Sequence, residues 1–178
     1  LMDVDLSTRA TATLTEIEQK MRLKTAGYTF VKPLEIGASL CSSSARIKRF
    51  CEEFGGALGL AFQWQDDLFD LTGNIARTKK TCFSDLLTRQ QTPYTHHIRT
   101  HGSHDEQRLL DTFLGRPLTE SKQMEARALF ERTGALQAGR ETIERLFIEA
   151  EKVLARASFL ARPEEFYDLI ALLRIRAS

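Results

Sequence analysis

Hydrophobic residues recur at steps of three and four along almost the whole chain, and no stretch alternates apolar and polar positions for the length of a β-strand. The first helix is predicted to begin near Thr8. A second, long helix is predicted after the serines at 42–44, which suit an N-cap, and it continues into an acidic run at 62–70. The pattern therefore predicts an all-α fold.

The rest of the chain predicts further helices, each with a recognisable beginning or end. The polar stretch at 75–81 and the stretch around the histidines at 96–104 are predicted to be loops. The helix signals are the capping box of Ser103 with Glu106 and its stop at Gly115 before Pro117, Thr119 with an end near Gly134, the apolar face of about 136–156, and Pro163 ahead of the last helix.

Two features of the first helix bear on function. Its apolar stripe begins at Leu14 and continues at helical steps through Lys24 and Tyr28, which predicts that a lysine faces the core. Pro33 is expected to kink or end this helix, because its ring removes a backbone donor and clashes with the preceding turn.

The second helix contains three glycines, Gly55, Gly56 and Gly59, ahead of the acidic run. Each costs about 1 kcal/mol relative to alanine inside a helix. Such a cluster predicts either close contact with another helix or the wall of a cavity.

Composition narrows the classes of function. With 178 residues, 42% of them hydrophobic and 28% charged, the chain is predicted to form a single soluble domain over residues 1–178. A net charge of +1 offers no basic field for nucleic acid, and no apolar run reaches the ~18 residues of a membrane span. Three cysteines without metal-ligand spacing suit reduced thiols, which favours a cytoplasmic protein.

The most informative chemistry lies in the acidic run. In a helix, Asp66, Asp67, Asp70 and Gln63 fall within an arc of about 100°, while the remaining positions are apolar. Like charges at these spacings repel, and carboxylates beside apolar surface lose hydration, so a compensating cation is expected. Oxygen ligands without Cys or His indicate Mg²⁺. The alternative is an ordinary exposed acidic patch.

Basic residues on either side of the acidic run extend this hypothesis. Lys24 and Thr25 precede it and Lys80 follows it, each at a helix end or in a loop that could meet the aspartates at one end of a helical bundle. Together with Mg²⁺ they would suit a diphosphate group. The alternative for each lysine is a solvated ammonium at the surface.

These residues match the motifs of a known family. FQWQDDLFD at 62–70 resembles the second aspartate-rich motif of trans-polyprenyl diphosphate synthases of the isoprenoid synthase superfamily, such as geranylgeranyl diphosphate synthases. Lys24 and Thr25 resemble the family's Lys-Thr pair. KKTCFSDL at 79–86 is similar to its Gly-Lys-Pro-x-x-x-Asp-Leu segment, with Lys80 at the lysine position. The combination of motifs in this order is more specific than any one of them.

The resemblance implies a helical bundle around a central cavity, here without its N-terminal helices. It implies a prenyltransferase that condenses isopentenyl diphosphate with an allylic diphosphate after Mg²⁺-assisted ionisation of the allylic diphosphate. It also implies a homodimer. In that reading the metal ligands are Asp66, Asp67 and Asp70; the catalytic residues are Lys24, Asp66 and Asp67; and the diphosphate is bound by Lys24, Thr25, Gln63 and Lys80.

The chain also departs from the family pattern. The lysine expected five residues after Asp85 is Gln90, which leaves Arg89 as the alternative cation, and Gly-Lys-Pro is replaced by Lys-Lys-Thr at 79–81. The chain resembles only the C-terminal half of the proteins in this family. We therefore expect the family's other aspartate-rich motif and its isopentenyl diphosphate site to be absent, and this segment alone to be inactive.

Two other functions stay open. One is a non-catalytic, synthase-like subunit that modulates a catalytic partner, which Gln90 and the altered lysine segment favour. The other is a terpene cyclase of the same superfamily, against which the Lys-Thr pair argues. Product length is not predicted, because the family sets it mainly with residues beside the absent motif.

Four histidines, His96, His97, His101 and His104, form another possible metal site, since His97 and His101 are four residues apart. Gly102 and the helix start that follows it favour a surface loop instead.

Overall fold

The computed structural model describes residues 12–40, 44–73 and 82–175, and within these ranges every regular element is helical. The prediction of an all-α fold is confirmed. The elements are α1 (Leu14–Met21), a π-helical segment (Arg22–Val31), α2 (Lys32–Ser39), α3 (Ala45–Thr72), α4 (Ser84–Leu87), α5 (Pro93–His101), α6 (His104–Phe113), α7 (Glu120–Arg132), α8 (Ala135–Ala155) and α9 (Glu164–Ile175).

The chain divides into two compact units, and each boundary falls inside a helix. Unit 1 combines the described residues of Leu1–Lys20 with those of Asp66–Arg140, and unit 2 combines those of Met21–Gln65 with those of Glu141–Ser178. Each unit has its own buried apolar cluster. The interpretation of the chain as one domain stays a prediction.

Unit 1 confirms the predicted helix caps. The Ser103 hydroxyl accepts a hydrogen bond from the Glu106 amide, and the Glu106 carboxylate accepts one from the Ser103 amide at 2.9 Å. Gly115 follows the end of α6 with a φ of 75°, and Gly134 follows α7 with a φ of 76°. This left-handed backbone is accessible to glycine at little cost, so both helices end where the sequence predicts. The fully buried side chains of this unit include Leu86, Ile98, Leu110, Phe113, Leu129 and Phe130.

Unit 2 is built around aromatic side chains of α3. The rings of Phe50 and Phe54 stack at 5.2 Å, and Phe166 of α9 packs edge-on against both, at 5.6 and 5.4 Å. The amide nitrogen of Gln65 donates to the carbonyl oxygen of Leu173 at 3.0 Å. These contacts fix α9 against α3.

The first helix differs from its prediction beyond Met21. The Lys32 amide donates to the carbonyl of Gly27, a five-residue step, so this segment is π-helical. The wider turn changes which residues point inward: Ala26 is 1% exposed, whereas Lys24 is exposed and Tyr28 is 80% exposed. The expectation that Lys24 and Tyr28 continue the core stripe was therefore wrong.

Pro33 does not end the helix. It occupies the first turn of α2, directly after the π-helical segment, and the residues on either side keep right-handed helical backbone. A missing N–H costs least in the first turn, which explains why the helical backbone continues through this proline.

The glycine cluster confirms the prediction of close helix contact. A Cβ built on Gly59 would lie 2.4 Å from the Cα of Ala26, and one on Gly55 would lie 3.1 Å from the Cα of Val31. The π-helical segment therefore lies almost backbone to backbone against α3, a distance that only glycine permits.

The histidine stretch is helical, which corrects the prediction of a loop. Thr92 caps α5 in a capping box with Thr95, and Pro93 follows at the first helical position. This Thr-Pro start was the signal that the sequence reading missed. His97 and His101 stack at 4.5 Å between ring centroids, and the Nε2 atom of His97 lies 3.1 Å from the carbonyl oxygen of Thr133.

Candidate functional site

The acidic motif lies where the sequence predicts, in the last two turns of α3. Asp67 is buried, with 7% of its surface exposed, and Asp66 and Asp70 are half-buried. Leu68 and Leu71, which flank them, are 4% and 3% exposed. The motif therefore borders a packed interior and is not an ordinary exposed acidic patch.

The Asp70 carboxylate accepts three hydrogen bonds from the beginning of α4. Its Oδ1 atom accepts from the Ser84 amide at 2.9 Å and from the Ser84 hydroxyl at 2.7 Å, and its Oδ2 atom accepts from the Asp85 amide at 3.0 Å. The backbone carbonyl of Asp70 accepts from the Phe83 amide at 2.8 Å. The third aspartate of the motif is thus oriented by the turn at 82–85.

An arginine of α7 lies at the C-terminal end of α3. Its Nε atom donates to the carbonyl of Leu71 at 3.2 Å, and its Nη2 atom donates to the carbonyl of Gly73 at 3.3 Å. This residue, Arg127, satisfies two of the carbonyls that a helix end leaves without intrahelical partners. Its charge also complements the negative end of the helix dipole.

Cys82 is influenced by the charges of both Asp70 and Arg127. Its thiol donates to the carbonyl of Gly73 at 2.9 Å. Burial raises the pKa of the Cys82 thiol, Asp70 raises it further, and Arg127 lowers it by a smaller amount. The thiol is therefore a neutral hydrogen-bond donor here.

Tyr94 is a further buried polar side chain of unit 1. It is 1% exposed, and its ring packs so closely on Gly139 that a Cβ there would lie 2.2 Å from the Cε1 atom. Burial raises the pKa of Tyr94 strongly and the charge of Asp67 raises it further, while Arg140 lowers it. Tyr94 is therefore a neutral phenol close to the most buried aspartate of the motif.

In unit 2, the hydroxyl of Thr25 donates to the Oε1 atom of Gln63 at 2.5 Å. The close approach at Gly59, one helical turn before Gln63, brings the π-helical segment near enough for this bond. Lys24 is exposed beside it. Thr25 and Gln63, both predicted to bind diphosphate, are thus in direct contact with each other.

Three positions bear on the lysine segment. Lys80 lies outside the described residues, so its predicted role is not tested. Gln90 accepts a hydrogen bond from the Nζ atom of Lys20 at 2.7 Å. The guanidinium of Arg89 lies over Gly115, where a Cβ would be 2.4 Å from its Nε atom. The Arg89 guanidinium therefore lies against the turn that follows α6.

The donor set of the acidic motif suits a hard divalent cation. The carboxylates of Asp66, Asp67 and Asp70 offer oxygen ligands, with no thiol or imidazole among them. Mg²⁺ commonly uses one or two protein carboxylates and completes its octahedron with water and substrate phosphates. Among the described residues, no three His, Cys, Asp or Glu side chains converge closely enough to hold a metal by themselves. The carboxylates fit Mg²⁺ by the chemistry of their oxygen ligands.

A separate cleft of about 840 Å³ lies within unit 2. The aspartates are not among its lining residues. It carries charges of both signs, which are Arg22, Glu52, Glu53, Glu149, Lys152 and Arg156. Because acidic and basic side chains both line the cleft, it has no uniformly positive potential that would select a phosphate.

The sequence reading missed several residues around the motif. Arg127 and Tyr94 carry no motif of their own and reach the site only through the tertiary structure. Ser84 lies in the segment at 79–86 that resembles a family motif, but its hydroxyl bonds to Asp70, 14 residues away, which spacing along the chain did not reveal.

Two solved structures of geranylgeranyl pyrophosphate synthases are similar in fold to this chain. A geranylgeranyl pyrophosphate synthase superposes with a TM-score of 0.86 at 24% identity, over 99% of this chain and 56% of that chain. A second, from Corynebacterium glutamicum in complex with isoprenyl diphosphate and magnesium, gives 0.84 at 23% identity, over 99% and 48%. The fold is thus the all-α fold of the isoprenoid synthases.

Sequence comparison identifies the family. A sequence model described as polyprenyl synthetase matches residues 1–131. The geranylfarnesyl diphosphate synthase of Natronomonas pharaonis is 34% identical over 101 residues, which are 57% of this chain and 29% of that protein. The farnesyl diphosphate synthase of Geobacillus stearothermophilus is 37% identical over 82 residues, 46% and 27%. The chain belongs to the polyprenyl synthetase family.

Coverage of the relatives is partial. The aligned part of this chain corresponds to less than a third of the two curated relatives, and the chain spans about half of the two solved structures. Within the described residues, no helix combines the length and hydrophobicity needed to cross a membrane.

Proposed function

We propose that this chain is the C-terminal portion of a prenyltransferase domain that condenses isopentenyl diphosphate with an allylic diphosphate. The observation that carries the proposal is the Asp66-Asp67-x-x-Asp70 face of α3, in which carboxylates lie beside a packed apolar interior in a chain of the polyprenyl synthetase family. Because the chain spans only about half of the related structures, the complete reaction is proposed for a polypeptide that also supplies the other half.

Asp66, Asp67 and Asp70 would hold Mg²⁺ together with the diphosphate of the allylic substrate. Bound Mg²⁺ would neutralise the negative charge that grows on the departing diphosphate, which lowers the barrier to ionisation. The burial of Asp67 supports this role, because a low-dielectric surround strengthens its attraction for a cation. Catalytic roles are proposed for Lys24, Asp66 and Asp67.

The neutral contacts would orient the diphosphate. The Oε1 atom of Gln63 accepts from Thr25, so the amide nitrogen is the donor end of this side chain. That end would donate to a diphosphate oxygen, and Lys24 and Lys80 would add positive charge. The Thr25 bond restricts the rotamers of Gln63 before the substrate arrives, which reduces the entropy lost on binding.

Calorimetry of the 178-residue chain with pyrophosphate, with and without Mg²⁺, tests the binding site. We expect Mg²⁺-dependent binding that Asp66→Asn and Asp67→Asn each weaken by tenfold or more, about 1.4 kcal/mol. Asp105→Asn, at an exposed aspartate of α6, is the matched control and should bind like the unchanged chain. Binding that ignores Mg²⁺, or aspartate variants that bind normally, would refute the proposal.

Turnover tests the reaction itself. We expect a polypeptide that carries both halves of the domain to incorporate labelled isopentenyl diphosphate into a longer prenyl diphosphate in the presence of Mg²⁺. We expect the 178-residue chain alone to incorporate none. Turnover by the chain alone would contradict the expectation that it holds half of the active site. We further propose a homodimer in the cytoplasm, which sedimentation and cell fractionation would check.

A non-catalytic subunit is the second candidate. The observation that favours it concerns position 90, where Gln90 stands in place of the family's lysine. Gln90 accepts a hydrogen bond from Lys20, and the guanidinium of Arg89 lies over Gly115. In that case the chain would change the product length of a catalytic partner without turnover of its own. A terpene cyclase would instead release a hydrocarbon or alcohol, which product analysis by mass spectrometry distinguishes.

A further inference from the structure

Arg127 connects three parts of unit 1 that converge on the acidic motif. It donates to the carbonyl of Leu71, in the last turn of α3, and to that of Gly73, directly after the helix. Its guanidinium lies over the ring of Phe83, 6.0 Å from the ring centroid. One cation of α7 thus contacts both the end of α3 and the turn at 82–85, whose amides donate to the Asp70 carboxylate.

Phe83 is hydrogen-bonded to Asp70 and so links Arg127 to this aspartate. Its amide donates to the Asp70 carbonyl at 2.8 Å, and the next two amides, those of Ser84 and Asp85, donate to the Asp70 carboxylate. Phe83 has a φ of 61°, a left-handed conformation that strains a residue with a bulky side chain. Surrounding contacts must therefore hold Phe83 in that conformation. One of these contacts is Arg127, which lies over the Phe83 ring, and Phe83 is only 2% exposed.

The C-terminal turn of α3 would be the weakest part of that helix without a cap. Helix ends fray because their last carbonyls lack partners, and Asp70 lies only two residues before the end at Thr72. A bidentate arginine, which presents two parallel donors in a rigid plane, suits two neighbouring carbonyls better than a lysine does.

We propose that Arg127 is a positioning residue of the metal-diphosphate site, which fixes the direction of the Asp70 carboxylate through the C-terminal turn of α3 and through Phe83. This inference rests on the proposed function, because it assigns Asp70 to a site that binds Mg²⁺ with diphosphate. It adds a residue that touches neither metal nor substrate and that no sequence motif marks.

Amide hydrogen exchange of the metal-free 178-residue chain is the first test. In Arg127→Gln, we expect the amides of Phe83, Ser84 and Asp85 to exchange about tenfold faster, because the turn opens more often. Arg132→Gln is the matched control: it removes an arginine of the same helix that pairs with Glu106 at the surface, and it should leave these three amides unchanged. Arg127→Lys, which keeps the charge and can fold if the glutamine variant does not, should exchange at an intermediate rate.

Calorimetric binding of pyrophosphate with Mg²⁺ is the second test, on the same variants. We expect Arg127→Gln to weaken binding about fivefold to tenfold, Arg127→Lys to recover part of that loss, and Arg132→Gln to bind normally. Urea unfolding of each variant separates this effect from a general loss of stability. A variant that is almost fully folded under the binding conditions and still binds more weakly supports a positioning role.

The outcomes separate the inference from the proposed function. Unchanged exchange at the three amides, or normal binding by Arg127→Gln while Asp66→Asn weakens binding by tenfold or more, would overturn the role of Arg127 and leave the proposed function standing. An unchanged chain that binds no Mg²⁺-pyrophosphate would refute the proposed function and, with it, the site that Arg127 is inferred to position.

Discussion

The contact between the π-helical segment and α3 gives the sharpest test of the structure. Replacing Gly59 with alanine would place a Cβ 2.4 Å from the Cα and 2.7 Å from the Cβ of Ala26, with Phe30 at 3.0 Å. The nearest atom belongs to the backbone, so no rotamer change can relieve the clash. The segment carrying Thr25 would have to move away from α3.

Two effects of opposite sign set the magnitude. Alanine gains about 1 kcal/mol over glycine in a helix interior. Overpacking a buried contact costs about 1–3 kcal/mol, and a backbone clash belongs at the upper end. The net expectation for Gly59→Ala is a loss of about 2 kcal/mol in the free energy of unfolding.

Gly37→Ala is the matched control, because the same substitution there should have the opposite sign. Gly37 lies in α2, and a Cβ built on it has no atom within 4 Å apart from its own helix and chain neighbours. Only the helix propensity changes at this position, so we expect a gain of about 1 kcal/mol.

Urea unfolding followed by the fluorescence of the single tryptophan, Trp64, measures both variants. With a slope of about 1–3 kcal/mol per molar urea, a difference of about 3 kcal/mol separates the two midpoints by about 1–3 M. If Gly59→Ala proved as stable as Gly37→Ala, the close packing of the π-helical segment on α3 would be refuted. A loss of stability in Gly37→Ala would instead refute the reasoning about propensity.

Three further predictions concern unit 1. Gly139→Ala should destabilise the chain by about 1–3 kcal/mol in urea unfolding, because its Cβ would lie 2.2 Å from the buried ring of Tyr94; an unchanged midpoint would contradict that contact. Hydrogen bonds from Ser103 hold the pKa of Glu106 below its ordinary value of 4.5, so this group stabilises the fold above pH 4.5 and the benefit is lost as the pH falls through the lowered pKa. Ser103→Ala, which keeps the backbone donor and removes the hydroxyl, should move that pKa part of the way back towards 4.5 in an NMR titration; a pKa that does not move would exclude the Ser103 hydroxyl as a contributor. The Cys82 thiol, buried and with a raised pKa, should react with iodoacetamide at pH 8 much more slowly in the native chain than in urea, as peptide mass spectrometry would show; equal rates would contradict its burial.

Much of the fold was predictable because helix signals are local. The capping box at Ser103, the glycines after α6 and α7 and the apolar spacing of α3 each depend on residues within one or two turns, and all were confirmed. The start of α5 was equally local in Thr92 and Pro93, and only the density of histidines concealed it.

The face of aspartates on α3 also follows from sequence, since a helix of known register fixes which side chains share a side. The register of the first helix did not follow. The change to five-residue hydrogen bonding after Met21 turns Lys24 and Tyr28 outward, and helical periodicity alone gives no sign of it.

The sequence by itself determined that this protein is all-α, that one helix carries a carboxylate face suited to Mg²⁺, and which family it belongs to. Only the tertiary structure decided that Asp67 is the buried member of that face, that Ser84 and Asp85 hold Asp70, and that Arg127 caps the helix beneath it. The physical reason is range: caps and helical faces are set by neighbours along the chain, whereas burial and the direction of a carboxylate depend on residues up to 56 positions away that meet only when the helices pack.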